Sequence, residues 1–101
     1  MRKIPVVEVR IRDDDRLVIV PRLQAGEDLA FIYRAAVEVN WEEASCGFVS
    51  PIVRSGGWSY FDWFRQIVAA VAAEYGAKLI IDPDTKWCEV PDDLRRRIEE
   101  D

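Results

Sequence analysis

The stretch WSYFDWFRQIVAAVAAEYG, residues 58–76, constrains the fold more than any other segment, because it carries both the start and the stop signal of one long helix. Ser59 is a good N-cap: its hydroxyl can accept a bond from a backbone N–H that the first helical turn leaves unpaired. Asp62 stands at the third helical position of an imperfect capping box, and Trp58 and Trp63 occupy the two positions of a hydrophobic staple. The pattern predicts a helix over residues 60–75 that ends at Gly76, a residue suited to the left-handed conformation found there. At about 3.6 residues per turn, Tyr60, Phe64, Ile67, Val68, Val71 and Tyr75 form one stripe, while Asp62, Arg65, Gln66, Ala69 and Ala73 occupy the back. So apolar a stripe has to pack on another layer.

The rest of the chain supplies a sheet. VVEVRIR, residues 6–12, sets Val7, Val9 and Ile11 against Glu8, Arg10 and Arg12, the period of a half-buried strand. Asp13, Asp14 and Asp15 suit a tight turn, with Arg12 and Arg16 placed to soften their mutual repulsion, and RLVIVP reads as the return strand of a hairpin. A charged hairpin tip accounts for these three carboxylates better than a metal site does. Leu17, Val18, Ile19 and Val20 are apolar on both faces, so a further layer of the chain or a second copy has to cover the outer one. After the loop at 22–28, Phe31, Tyr33, Ala35, Val37, Val39 and Trp41 alternate with Ile32, Arg34, Ala36, Glu38, Asn40 and Glu42. This predicts a strand over 31–42, although helix-forming residues in EDLAFIYRAA allow a helical turn at its front. CGFVSPIV reads as another short strand that Pro51 pushes toward an edge. AKLIID and WCEV, joined by DPDTK, predict a second hairpin. A closing helix has Pro91 in its first turn, Asp92 and Asp93 at its positive end, and Leu94 with Ile98 as contact line. The expectation is a single α+β domain over residues 1–101. It consists of a mainly antiparallel sheet of about five or six strands, one long helix on a face and a short C-terminal helix.

Several function classes are disfavoured at once. The chain has no histidine, which removes the Ser-His-Asp and Cys-His arrangements, the HExxH zinc motif and the commonest general base near neutral pH. Cys46 and Cys88 alone cannot build a structural zinc site and read as reduced, small apolar residues. No glycine-rich phosphate loop occurs, and DPDTKW begins like a calcium loop but has Trp87 where that loop needs glycine. Glu38 and Glu42, with Arg34 on the same line, would lie roughly 13 Å apart on a strand, beyond the ~5–9.5 Å of a glycosidase pair. They read as a surface row of salt-bridging groups. Lys and Arg total 14 against 19 Asp and Glu, a net charge of -5 that opposes binding to a phosphate backbone. Arg95, Arg96 and Arg97 are bracketed by acids and read as a solvated helix surface. IVAAVAA is too short to span a membrane, and no signal-type apolar region follows the N-terminus. The expectation is a cytoplasmic, non-enzymatic protein with no cofactor, no catalytic residue, no metal, no nucleic acid and no membrane partner.

What remains is aromatic. Phe31, Tyr33, Phe64 and Tyr75 are expected in the core, whereas Trp58 and Trp63 lie toward the rim of the helix stripe. Fully burying one Trp contributes on the order of 4 to 6 kcal/mol as an upper bound, so leaving several exposed would be a solubility liability. The aromatics therefore suit the core alone, a contact with a second copy, most simply in a homodimer, or a small-molecule pocket. As a pocket, Tyr33, Trp41, Trp58 and Trp63 with Arg34 or Arg54 at the mouth would hold a small amphipathic molecule. The alternative is an acidic interaction module, antitoxin-like or immunity-like, that meets a basic protein.

The elements FIYRAAVEVNW, WSYFDWFRQI and EYG resemble a group of small uncharacterised bacterial proteins of integron gene cassettes, over about residues 31 to 90. The resemblance implies a small, soluble and often homo-oligomeric protein with an adaptive accessory role, some members having cavities suited to small ligands. It brings no catalytic residues.

Overall fold

The computed structural model describes residues 1–27 and 29–101; the loop expected at 22–28 ends on Asp28, which lies outside the described residues. Among the described residues the chain runs β1 (Arg2–Ile11), β2 (Leu17–Pro21), a 3₁₀ helix (Ala30–Arg34), β3 (Asn40–Glu42), β4 (Gly47–Val49), α1 (Tyr60–Tyr75), β5 (Ala77–Ile80), β6 (Lys86–Cys88) and α2 (Asp92–Glu100). The strands form one mixed six-stranded sheet in the order β3-β4-β2-β1-β5, with β6 also paired to β1. The fold is α+β, as the sequence predicts.

The first hairpin is antiparallel, with Val9 opposite Ile19 and Arg10 opposite Val18. Its turn closes where the three aspartates stand: Asp15 has a positive φ of 62°, and its N–H donates to the Arg12 carbonyl at 3.1 Å. Arg12 and Arg16 both reach Asp14, at 2.6 and 3.4 Å, so the repulsion at the tip is neutralised as expected.

The other edge of β1 differs from the sequence expectation. β5 and β6 do not form a hairpin; both pair with β1 in parallel, β5 along residues 2–5 and β6 along residues 8–10. The break between them coincides with a bulge in β1 between Val6 and Glu8. Buried Thr85 fills this gap, its hydroxyl donating to the Val6 carbonyl at 2.7 Å while accepting the Asp82 N–H at 3.1 Å. A side chain thus satisfies the backbone group that a continuous strand would have bonded.

The segment 31–42 is the largest departure. Only Asn40–Glu42 is a strand; the front is a single 3₁₀ turn, entered through Leu29. Ile32, Ala36 and Val39 are buried, a spacing of four and then three residues that lays one side of the segment on the core. Phe31 and Tyr33, expected inside, are each 49% exposed. β4 is not an edge either, because it lies between β3 and β2 and Pro51 falls beyond it.

Leu29 and Ile32, Phe64, Ile67 and Val71 of α1, and Leu94 and Ile98 of α2 share one core with Val9, Ile19 and Phe48. The helical elements therefore lie on the same face of the sheet. On the outer side of β2, Val18 is 0% exposed within the single chain and Val20 is half-buried. The chain itself covers the outer face at Val18.

Candidate functional site

The site is built on the start of α1. Ser59 Oγ accepts the Asp62 N–H at 3.2 Å and the Asp62 carboxylate accepts the Ser59 N–H at 2.9 Å, a reciprocal capping box. These bonds to Ser59, the backbone one foremost, hold the Asp62 carboxyl below its ordinary range. The cap fixes the chain direction entering the helix, and the staple closes over it: the Trp58 and Trp63 ring centres lie 4.7 Å apart. At the other end, Gly76 adopts the left-handed φ of 61° that stops the helix.

Two segments rise beside the paired indoles. One is the turn after the 3₁₀ helix, closed by Val39 N–H on the Ala36 carbonyl at 3.0 Å, which leaves Val37 85% exposed. The other is the turn after β4, closed by Gly57 N–H on the Arg54 carbonyl at 3.2 Å, with Gly56 at a φ of 85°. Between them and α1 lies a groove of about 550 Å³, lined by Ala36, Pro51, Ile52 and the two indoles together with Glu38, Arg54 and Gln66. A second depression, which shares Trp58 and Gln66 with the groove, holds Asp62, Arg65 and Ala69. There the charges are already engaged, Asp62 in the cap and Arg65 3.9 Å from Asp101.

Of the six residues the sequence singles out, Trp58, Trp63 and Arg54 meet in this groove and Tyr33, Arg34 and Trp41 do not line it. Arg34 stacks over Phe31 at 4.3 Å and pairs with Glu74 at 3.5 Å, with Tyr33 beside Phe31 at 6.2 Å. Trp41 packs edge-on to Phe48 at 5.2 Å, within the core. Val37, Glu38, Ile52 and Gln66 complete the groove, and the sequence reading gave none of them this role. Glu38 was assigned to a row with Glu42 that the fold does not build. Glu42 instead accepts from Ser45 and Arg12, which together hold its carboxyl below the usual range. The one signal for the groove was Pro51-Ile52, an exposed apolar step directly after a strand.

The lining residues are apolar side chains, a carboxylate, a guanidinium and an amide. No group of His, Cys, Asp or Glu among the described residues is arranged to hold a metal. Cys46 and Cys88 are free thiols, Cys46 exposed. The Tyr60 hydroxyl lies outside the groove lining, and burial first, then Asp15 beside it, pushes its pKa up. No helix among the described residues is long and apolar enough to cross a membrane. The chemistry at hand is recognition of a molecule with an apolar body and polar ends.

Comparison with known proteins places the chain. No curated protein matches it. A solved structure, the integron cassette protein Hfx_Cass5 from the mobile metagenome of the North West Arm sewage outfall, is 36% identical over 99% of this chain and 95% of its own, with a TM-score of 0.46. The family model described as integron cassette protein Hfx_Cass5 matches residues 4–85. On that match and that identity, the chain belongs to the Hfx_Cass5 family of integron cassette proteins.

Proposed function

We propose that this chain is a non-enzymatic, cytoplasmic accessory protein that holds a small amphipathic molecule in the groove at Trp58 and Trp63. One observation carries the reading: Trp58, Val37 and Ile52, at 51%, 85% and 38% exposure, gather around a single groove of about 550 Å³. That volume falls in the ~300–1,000 Å³ range of small-ligand sites, and an apolar floor with a few polar groups at its border is their usual composition. The capping box and the staple hold one wall in place before a ligand arrives, which lowers the ordering cost of binding.

A thermal-shift screen of amphipathic metabolites, paired with indole fluorescence, tests this. A ligand at about a hundred times its Kd stabilises by about 2.7 kcal/mol, a rise in Tm of several degrees for a domain of this size. Quenching should accompany the shift and weaken in Trp58→Ala, with Trp63 reporting what remains. A screen without stabilisation, or a hit whose quenching is unchanged in Trp58→Ala, rejects the groove.

A second reading, self-association as a homodimer, is supported by a different patch. Phe31 and Tyr33 stand side by side, half exposed, at the 3₁₀ turn. Light scattering behind gel filtration is the direct test. A strict monomer at high micromolar concentration rejects it.

A further inference from the structure

The proposed groove carries opposite charges that the protein leaves uncommitted. Arg2, Arg12, Arg16, Arg34, Arg65 and Arg95 each have a carboxylate partner. Among the described residues the side chains of Glu38 and Arg54, which both border the groove, have no ion pair or hydrogen bond, with each other or with any neighbour. The backbone accounts for their separation. Glu38 stands in the turn closed by Val39 N–H on the Ala36 carbonyl, and Arg54 opens the separate turn closed by Gly57 N–H on its own carbonyl. The groove therefore offers an acceptor of cations and a donor to anions on two separate turns, with the two indoles and Ile52 in the same lining.

Resting on the small-molecule reading above, we infer that the ligand is a zwitterion whose cationic and anionic ends lie at opposite ends of an apolar or aromatic body. Its ammonium faces Glu38, its carboxylate takes the Arg54 guanidinium, and its body lies against the Trp58 and Trp63 rings. Charge complementarity selects this occupant over a purely cationic or purely anionic amphiphile, either of which leaves one border charge facing apolar ligand surface.

The test uses four probes read by Trp fluorescence: 4-(aminomethyl)benzoate, with its charges across a ring; benzylamine; 4-methylbenzoate; and phenylalanine, with both charges on one carbon. Each border contact is exposed and should change Kd by about two- to fivefold. The across-ring zwitterion should bind tightest. Arg54→Gln should weaken it and 4-methylbenzoate while sparing benzylamine, and Glu38→Gln should weaken it and benzylamine while sparing 4-methylbenzoate. Both residues are exposed, so unchanged urea midpoints should confirm that the variants fold. If the probes bind alike and neither variant discriminates, the zwitterion inference falls and the groove reading stands. Phenylalanine binding as tightly as the across-ring compound also overturns the inference. If no probe binds and the metabolite screen is equally silent, both readings fall.

Discussion

The Trp58 and Trp63 indoles meet at 4.7 Å between ring centres with their planes tilted by 43°, across the first turn of α1. This pair is at once the staple that fixes the helix entry and a wall of the groove, so its physical state reports on both. Two indoles this close couple electronically and should give an exciton couplet in the far-ultraviolet circular dichroism. Trp58→Ala should abolish the couplet and cost about 0.5–1.5 kcal/mol, the scale of an aromatic pair. Trp63 also packs on the core, so Trp63→Ala should cost about 2–4 kcal/mol by urea unfolding. A couplet that survives in either variant would show that the pair is not formed in solution.

The capping box predicts non-additivity. Ser59→Ala and Asp62→Ala should each lower stability by about 1 kcal/mol, and the double variant should lose less than the sum, because each single change already opens the reciprocal pair. Chemical denaturation of the four proteins measures the coupling. Strict additivity would mean that the two bonds form independently.

Thr85 tests the plug at the β1 bulge. Thr85→Val keeps the shape but leaves the Val6 carbonyl and the Asp82 N–H without their partner, and should cost about 1–3 kcal/mol. Thr85→Ser retains the hydroxyl and should recover most of that loss. Greater destabilisation by Ser than by Val would place the importance of this residue in its methyl group.

Acidification should act through the hairpin tip. Arg12 holds the Asp14 carboxyl below its ordinary range, and Ser45, followed by Arg12, does the same for Glu42. Depressed folded-state values mean that these groups stabilise the fold at pH above the ordinary carboxylate range, near 4. That contribution is lost as pH falls through the depressed values. Urea midpoints measured from neutral pH into acid should drop through this window, and Arg12→Met should flatten the part of the drop due to this cluster. An unchanged profile in Arg12→Met would show that the pairs do not contribute in solution.

The sequence by itself determined the elements whose signals are local. Helix α1 begins at Ser59 and stops at Gly76 because cap, staple and left-handed terminus each act within a few residues. The first hairpin follows likewise from its aspartate turn, and α2 from Leu94 and Ile98. Tertiary structure decided residues 31–42. There a period-two alternation of large residues masked the burial of Ile32, Ala36 and Val39, and packing against α1 and β3 overrode the strand pattern. It also decided that β5 and β6 lie along β1 in parallel, a pairing closed across more than seventy residues that no turn signal encodes. The groove belongs to the same category. Glu38, Arg54 and Trp58 come from three segments, and only the pairing of β3 with β4 and the docking of α1 bring those segments around one groove.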